Sequence, residues 1–374
     1  MRIGFDAKRA YQNYTGLGNY SRDILQHLIA NYPDNEYKLF APKEYKNPRL
    51  NFLNNNENTE TIFPDSPIDK TFKGYWRSVN MEKSILKNNI DIYHGLSNEI
   101  PRIKSHHIPY VVTIHDLIFK RFPRYYRSVD RKIYNLKFKY AVNNADITIA
   151  ISEQTKRDLI EFYKADPNKI KVIYQSCHEN FRKQYSNEVL HHIKKKFSLP
   201  DQFILNVGTI ESRKNLHAIL NAVKIMKNDV PLVVVGRKTK YMNFVKIQLK
   251  KMKFDMSKLF FLHDVSIEEL PSIYQLSSVF VYPSLFEGFG IPIIEALSSG
   301  IPVISTINGC FKEAGGPESL YIDPNNYEDL ADKIDLCLEN EKLRLKMKEA
   351  GHEFVKKFDP KIISKEIMNV YQSF

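Results

Sequence analysis

Two glutamates flank a glycine turn in the segment Val281 to Gly300, VYPSLFEGFGIPIIEALSSG. Glu287 and Glu295 are eight positions apart, with two glycines and a proline between them. An apolar run precedes the turn and an Ala, Leu and Ser-rich pattern follows, which predicts a strand, a turn and a helix. Such a turn offers backbone N–H groups and a positive helix end to an anion. Carboxylates beside that anion favour a ligand with both phosphates and hydroxyls, such as a nucleotide sugar.

A second candidate site is the segment Val207 to Asn215, VGTIESRKN. Gly208 permits a tight turn after an apolar strand, and Gly236 ends the next predicted strand. Arg213 and Lys214 come just before a predicted helix, where they could clamp a diphosphate. The helix dipole disfavours cations at that end, so their presence favours a bound anion over a solvated charge pair.

The first half of the chain has a glycine-containing loop of its own, TGLGNYSR, from Thr15 to Arg22. Gly16 and Gly18 lie between a predicted strand and a predicted helix, where glycine allows close approach of a ligand to the backbone. The loop lacks the third glycine of a dinucleotide-binding fingerprint.

Two histidines follow apolar strands in this half. His115 and Asp116 end the run VVTIHDL, and His94 occupies the equivalent place in IYHGLS. At the end of a strand, His115 could hydrogen-bond a sugar hydroxyl or accept a proton. The alternative is a buried structural histidine that is bonded to the backbone.

Strands and helices alternate along the whole chain, which predicts an α/β fold with mostly parallel, doubly wound sheets. Strands are predicted at 1–5, 37–40, 90–94, 110–114, 147–151, 203–207, 232–235, 259–262, 279–282, 303–305 and 321–322. The pattern predicts two Rossmann-like domains, 1–178 and 179–357, with a terminal helix at 358–374 that could pack back on the first. We expect the two domains to face a shared cleft that gathers the candidate residues.

Size and composition narrow the class of protein. The chain has 374 residues, of which 43% are hydrophobic and 26% charged, with a formal net charge of +12. No apolar run is long enough to predict a transmembrane helix, and the first residues do not resemble a secretory signal. Three widely spaced cysteines predict reduced thiols and a cytoplasmic protein. This positive charge could bind nucleic acid, an anionic membrane or an anionic substrate. The alternative is a basic surface that binds no specific partner.

Taken together, these motifs resemble the retaining glycosyltransferases of family 4, which have the two-Rossmann GT-B fold. The resemblance runs nearly end to end. It rests most specifically on VYPSLFEGFGIPIIEALSSGIPVI, and also on GLGNY, VVTIHDL and VGTIESRKN. Where many family members have an arginine directly after the glycine of the last motif, this chain has Thr209.

The resemblance implies a role for each matching position. His115 and Glu287 are the implied catalytic residues, near the transferred sugar. Glu295 would bind the ribose hydroxyls, and Arg213 and Lys214 would neutralise the leaving diphosphate. The implied donor-binding residues are Gly16, Gly18, Gly208, Arg213, Lys214, Gly236, Phe289, Gly290, Ile291 and Glu295.

The expected reaction moves a hexose from a nucleotide diphosphate sugar to a glycan or lipid-linked glycan. Mannose from GDP-mannose is favoured, and a UDP-sugar stays open. No paired Asp cluster is evident, so we expect neither a metal nor another cofactor. A nucleotide-sugar epimerase or a sugar phosphorylase of the same fold is the alternative. A dehydrogenase would need the missing fingerprint, and a nucleic-acid-binding protein would leave both glutamates unexplained, so nucleic acid is not expected as a partner.

The acceptor side is predicted in the first domain, where the stretch Lys120 to Tyr140 is basic and aromatic. The segment Thr71 to Arg77, TFKGYWR, has a similar character. Such surfaces suit anionic lipid headgroups or a phosphate-bearing acceptor, which would place the protein at the inner face of the plasma membrane. The alternative is that Tyr134 and Phe138 are core residues among solvated charges. The candidate acceptor or membrane residues are Arg121, Arg124, Arg127 and Lys132.

Overall fold

A computed structural model describes residues 1–54, 56–103 and 107–374 of the chain. These residues form two compact units, one of Met1–Ser176 with Phe358–Phe374 and one of Cys177–Lys357. Each unit holds a parallel sheet with helices around it, which confirms the predicted α/β class.

The sheet of the first unit has the strand order β3-β2-β1-β4-β5-β6-β7, and all the pairings are parallel. The strands are β1 Arg2–Asp6, β2 Glu36–Phe40, β3 Thr59–Ile62, β4 Ile92–Gly95, β5 Tyr110–Ile114, β6 Ile147–Ala150 and β7 Ile170–Val172. Strands β1 and β4 form the central pair: strands β2 and β3 follow outward from β1, and strands β5 to β7 follow outward from β4. A doubly wound sheet binds ligands at the carboxyl ends of such a central pair.

Amphipathic helices cover this sheet. The second helix after β1, which spans Gly16–Asn31, buries Ile24, Leu25 and Leu28 in the core, as their helical spacing predicts. The helices are α1 Lys8–Gln12, α2 Gly16–Asn31, α3 Pro67–Thr71, α4 Lys73–Tyr75, α5 Met81–Lys87, α6 Ile118–Arg121, α7 Ser128–Asn144 and α8 Glu153–Tyr163.

The second unit repeats this plan with the strand order β10-β9-β8-β11-β12-β13, again parallel throughout. The strands are β8 Ile204–Val207, β9 Leu232–Val235, β10 Leu259–Leu262, β11 Val279–Tyr282, β12 Val303–Thr306 and β13 Leu320–Ile322. The helices are α9 Asn187–Lys196, α10 Leu216–Ile225, α11 Tyr241–Met252, α12 Leu270–Leu276, α13 Ile291–Ser298, α14 Phe311–Gly315, α15 Tyr327–Glu339 and α16 Glu341–Phe354. Here the central pair is β8 and β11.

The last helix, α17 Pro360–Tyr371, belongs to the first unit. It packs against α2, where the side-chain amide of Asn31 donates to the Ser364 hydroxyl at 2.9 Å. Ile367 and Tyr371 of this helix are buried in the core of that unit. The terminal helix therefore completes the domain in which the chain begins.

The sequence pattern does not predict every strand and helix of the structure. Strands β3 and β7 lie at the two edges of the first sheet and are not predicted. The polar stretch 51–60, whose composition favours a loop, enters a 3-10 helix at one end and β3 at the other, while residue 55 lies outside the described residues. Edge strands are short and partly solvated, so they lack the apolar run of a central strand. The sequence pattern of residues 76–87 favours a single helix, but a π-helical turn, Trp76–Asn80, precedes α5 there.

Candidate functional site

The two strongest sequence motifs meet at the central strand pair of the second unit. The loop after β8 carries Arg213 and Lys214, and the loop after β11 carries Glu287. The loops are joined directly, because the backbone N–H of Leu285 donates to the carbonyl of Arg213 at 2.9 Å. The place agrees with the general position of ligand sites in doubly wound sheets.

Glu287 is ion-paired with both cations. Its Oε2 lies 2.7 Å from Nη1 of Arg213, and its Oε1 lies 2.7 Å from Nζ of Lys214. The exposed side-chain fractions are only 12% for the glutamate, 17% for the arginine and 15% for the lysine. Arg213 is also paired with Glu211 at 2.7 Å. These cations are therefore not a solvated charge pair at a helix start.

Two hydroxyls complete the surroundings of the Glu287 carboxylate. Ser284 donates to Oε1 at 2.6 Å and Tyr282 donates to the same oxygen at 3.1 Å. Burial alone would raise the pKa of Glu287, but Lys214 and Arg213 outweigh it and hold that pKa at about 2. The carboxylate is ionised at neutral pH and both its oxygens are occupied, so it orients the two cations.

Glu295 has different surroundings. The predicted helix after the glycine turn would place Glu295 in its first turn, where the dipole favours an acid. That placement is wrong, since α13 begins at Ile291 and has no acidic residue in its first turn, so the dipole does not explain the position of Glu295. Tyr274 donates its hydroxyl to Oε2 at 2.9 Å. Burial raises the pKa of Glu295 to about 7, against opposing contributions from Tyr274 and from the charge of Lys214. The charge of Lys214 thus acts on both glutamates.

Hydrogen bonds from Cys310 stabilise the turn between Glu287 and Glu295. Gly290, the residue before α13, has a φ of 117°, a region that favours glycine. The buried Cys310 thiol donates to the carbonyl of Phe289 at 2.8 Å and contacts that of Glu287 at 3.3 Å. These contacts bind carbonyl oxygens of the turn and do not occupy the N–H group of Ile291, the first residue of α13. Nothing in the spacing of the cysteines indicates this role, which appears only in the fold.

The glycines that end β8 and β9 are required by close backbone packing. Gly208 has a φ of 149°. A Cβ on Gly236 would lie 1.8 Å from the carbonyl oxygen of Gly208, closer than any side chain allows. Gly236 therefore shapes the turn that carries Gly208, next to the side chain of Lys214.

In the first unit, the two glycines of the predicted loop differ. A Cβ on Gly16 would meet nothing within 4 Å, and this residue is exposed at the start of α2. A Cβ on Gly18 would lie 1.7 Å from the carbonyl oxygen of Asn13. Gly18 therefore has a packing reason of its own, while the open space at Gly16 suits the predicted approach of a ligand.

His115 is buried and fully hydrogen-bonded. Its Nε2 donates to the carbonyl of Leu96 at 2.9 Å, and its Nδ1 accepts from the Gln175 amide at 3.0 Å. Burial lowers the pKa of His115 to about 4, so the ring is neutral. This geometry is that of the alternative interpretation, a structural histidine, and the contact with a sugar stays a prediction. His94 is likewise buried, between Tyr371 and Thr113.

The basic and aromatic stretch divides into structural and exposed residues. Arg121 is predicted to be a surface residue, but its side chain is only partly exposed. Its Nη2 lies 2.6 Å from Oδ1 of the buried Asp158, with which it forms an ion pair. Phe138 is a core residue, whereas Tyr134 is 38% exposed. The side chains of Arg124, Arg127 and Lys132 are at the surface.

The second basic and aromatic segment is also only partly exposed. Trp76 and Arg77 are buried, which corrects the surface predicted there. Phe72 and Tyr75 are 62% and 51% exposed. In the described ranges, no helix is long and apolar enough to cross a membrane.

Comparison with known proteins identifies the class. The model of "Glycosyltransferase Family 4" matches residues 14–177, and that of "Glycosyl transferases group 1" matches residues 190–354. O-antigen chain mannosyltransferase B of Escherichia coli is 25% identical over 388 residues, covering 100% of both chains. O-antigen chain mannosyltransferase RfbU of Salmonella typhimurium is 31% identical over 220 residues, 58% of this chain and 57% of that one. The structure of Anabaena HepE in complex with UDP and glucose is 17% identical, with a TM-score of 0.75 over 100% of both chains.

Two doubly wound α/β units, matched by these two models, define a glycosyltransferase of the GT-B class. This chain belongs to glycosyltransferase family 4 and is an enzyme.

Proposed function

We propose that this enzyme transfers a mannosyl group from GDP-mannose to a glycan or lipid-linked glycan, with retention at the anomeric carbon. The observation that carries the proposal is the cluster of Glu287 with Arg213 and Lys214 at the central strand pair of the second unit. The choice of mannose is supported by the names of the two relatives that are O-antigen chain mannosyltransferases.

The cluster suits the charge that develops as a nucleoside diphosphate leaves. Negative charge grows on the departing phosphate oxygen, and cations that are already oriented stabilise it without reorganisation. Glu287 holds Arg213 and Lys214 in place, while the N–H group of Ile291 at the start of α13 supplies a further donor. We propose that these groups perform the role that a metal ion has in other transferases.

The same cluster argues against a covalent intermediate on Glu287. Its two oxygens accept from Arg213, Lys214, Ser284 and Tyr282, so neither is poised to attack a sugar carbon. We therefore favour attack of the acceptor hydroxyl on the same face from which GDP leaves. In that step the bond from the anomeric carbon to phosphate breaks, the bond to the acceptor oxygen forms, and the hydroxyl proton passes to the departing phosphate.

Nucleotide binding tests the donor half of the proposal. We expect GDP to raise the melting temperature by roughly 5–10 °C at a hundredfold excess over its Kd, and UDP and ADP to raise it less. Lys214→Ala should abolish most of the GDP effect. Lys224→Ala, an exposed lysine on the helix that follows Lys214, is the matched control and should retain it. A wild-type protein that no nucleotide stabilises would contradict the donor site.

We further propose that the enzyme works at an anionic membrane surface, bound through two exposed stripes of the first unit. On α7, Val129, Ile133 and Leu136 are 64%, 45% and 70% exposed and recur at helical spacing. On α3 and α4, the exposed apolar residues are Ile68, Phe72 and Tyr75. Exposed basic residues accompany both stripes, namely Lys70, Arg124, Arg127, Lys132 and Lys139. Apolar residues flanked by cations are typical of helices that lie in a bilayer interface.

Sedimentation with vesicles tests this surface. Leu136→Glu should weaken binding to vesicles of phosphatidylglycerol and phosphatidylcholine about tenfold or more, because burial of a leucine contributes about 1.5–3 kcal/mol. Leu345→Glu changes an equally apolar residue, 53% exposed on α16 of the second unit, and should leave binding unchanged. Equal losses in both variants, or no sedimentation of the wild-type protein, would contradict the proposal.

A further inference from the structure

Resting on the proposed transfer reaction, we propose that Lys8 and Arg9 bind a phosphate group of the acceptor substrate at the carboxyl edge of the first sheet. The two cations directly follow β1, one strand of the central pair in that sheet. Ligands of doubly wound sheets bind at this edge. The donor cations Arg213 and Lys214 belong to the other unit.

The carboxylates near these cations are already occupied. Asp6 accepts from the backbone N–H of Lys8 at 3.1 Å through Oδ1, and from Arg77 through Oδ2, with a distance of 2.9 Å to Nε. Oε2 of Glu99 accepts from Nη1 of Arg77 at 2.7 Å and from Nζ of Lys137 at 2.9 Å. Both acids are therefore already paired with Arg77, and Glu99 also with Lys137, so the charges of Lys8 and Arg9 are in excess of these two acids.

Lys8 and Arg9 carry that excess. Within the described ranges, neither side chain has an ion-pair partner, and Nε of Arg9 is buried with no hydrogen-bond partner. The four undescribed residues are Asn55, Lys104, Ser105 and His106, none of which has a carboxylate. Burial and the charges of Arg77 and Arg9 lower the pKa of Lys8 and outweigh the charges of Glu99 and Asp6, which raise it. Partly buried cations without a counter-ion are unfavourable unless a ligand supplies the negative charge.

The neighbouring strands point to the same edge. Burial lowers the pKa of His115, which follows β5, and the charge of Arg9 lowers it further. Ser97, in the loop after β4 that also carries Glu99, is 3% exposed and its hydroxyl oxygen has no hydrogen-bond partner in the described structure. A buried hydroxyl without a partner and two cations without a counter-ion, in the segments that follow β4 and β1, suit a phosphate bound to a sugar or lipid. A sugar phosphate and a lipid-linked diphosphate share this chemistry.

Calorimetric titration of the full chain with pyrophosphate, in the presence of saturating GDP, tests the site. GDP occupies the donor cations, so binding that persists reports a second anion site. Lys8→Gln with Arg9→Gln should weaken it about tenfold or more. Lys46→Gln with Arg102→Gln removes two exposed cations of the same unit and should leave it unchanged. Inorganic phosphate that binds as tightly as pyrophosphate indicates a monophosphate acceptor, and weaker binding indicates a diphosphate.

The melting temperature separates binding from a structural role. Because burial and the repulsion by Arg77 and Arg9 outweigh the attraction of Glu99 and Asp6 at Lys8, the double variant should melt at or above the wild-type temperature. A lower melting temperature, or unchanged pyrophosphate affinity in this variant, would overturn the site. So would a GDP-saturated wild-type protein that binds no pyrophosphate. GDP binding should be the same in wild type and variant, and its absence from both would contradict the transferase proposal instead.

Discussion

Glu287→Gln is expected to lower the turnover number for sugar transfer about a hundredfold while leaving the affinity for GDP equal or higher. The reason is the double ion pair of Glu287 with Arg213 and Lys214. Without the carboxylate, the two cations lose the partner that aligns them with the leaving phosphate. They also become less neutralised, so they attract the diphosphate at least as strongly. Initial rates with GDP-mannose and calorimetry with GDP measure the two effects.

The same substitution should destabilise the enzyme. Breaking a buried ion pair by removing one partner costs about 3–5 kcal/mol, and the amide of glutamine recovers part of this through hydrogen bonds. The folded-state pKa of about 2 lies below the ordinary value of 4.5, so the stabilising contribution is present above pH 4.5 and is lost as the pH falls toward 2. In Glu287→Gln, the loss of folding stability that protonation of this carboxylate causes between pH 4.5 and pH 2 should therefore be absent.

Glu211→Gln is the matched control for Glu287. It also neutralises a partner of Arg213, but Glu211 is 39% exposed and pairs with one cation only. Exposed pairs contribute about 0–1 kcal/mol, so we expect small changes in rate and stability. Similar losses of turnover in both variants would refute the orienting role of Glu287.

The affinity for GDP should increase about tenfold between pH 6 and pH 8, with a midpoint near 7 that belongs to Glu295. If its carboxylate accepts the ribose hydroxyls, only the ionised form binds well. With a pKa of about 7, the ionised fraction rises from about one tenth to about nine tenths over this range. Glu295→Gln should weaken GDP binding about tenfold at pH 8 and little at pH 6. Calorimetric titration at several pH values measures this directly.

The terminal phosphate of GDP also titrates near pH 6, so the difference between wild type and Glu295→Gln is the informative quantity. Stability provides a second control. The folded-state pKa of Glu295 is above 4.5, so the free enzyme loses stability as the pH rises from 4.5 through about 7. The nucleotide-free variant should therefore melt at a higher temperature than the wild type at pH 8. Identical pH profiles for GDP binding would exclude Glu295 as the titrating group.

Local patterns in the sequence are sufficient for the α/β class and for the glycine turns. Apolar runs predict the central strands, because these are buried on both faces of a parallel sheet. The turn before α13 is foreseen from Gly288 and Gly290, since glycine tolerates the backbone that such a turn needs.

Side-chain partnerships across elements are beyond the reach of those patterns. The ion pairs of Glu287 join two loops that follow different strands, and the sequence shows only that each loop is charged. From the sequence, Glu287 is explained only by a ligand, whereas the fold also gives it a structural role as partner of two cations. Arg77 is a similar case, because its burial depends on Asp6 and Glu99, which lie far away along the chain.

The return of α17 to the first unit has a consequence for synthesis. Domains generally fold in order from the N-terminus as the ribosome releases them. Here the core around β1 and α2 lacks Ile367 and Tyr371 until α17 emerges. The domain whose synthesis starts first is thus completed only after the whole second unit has been made. Until then, the apolar groove that receives α17 is open to solvent and to chaperones.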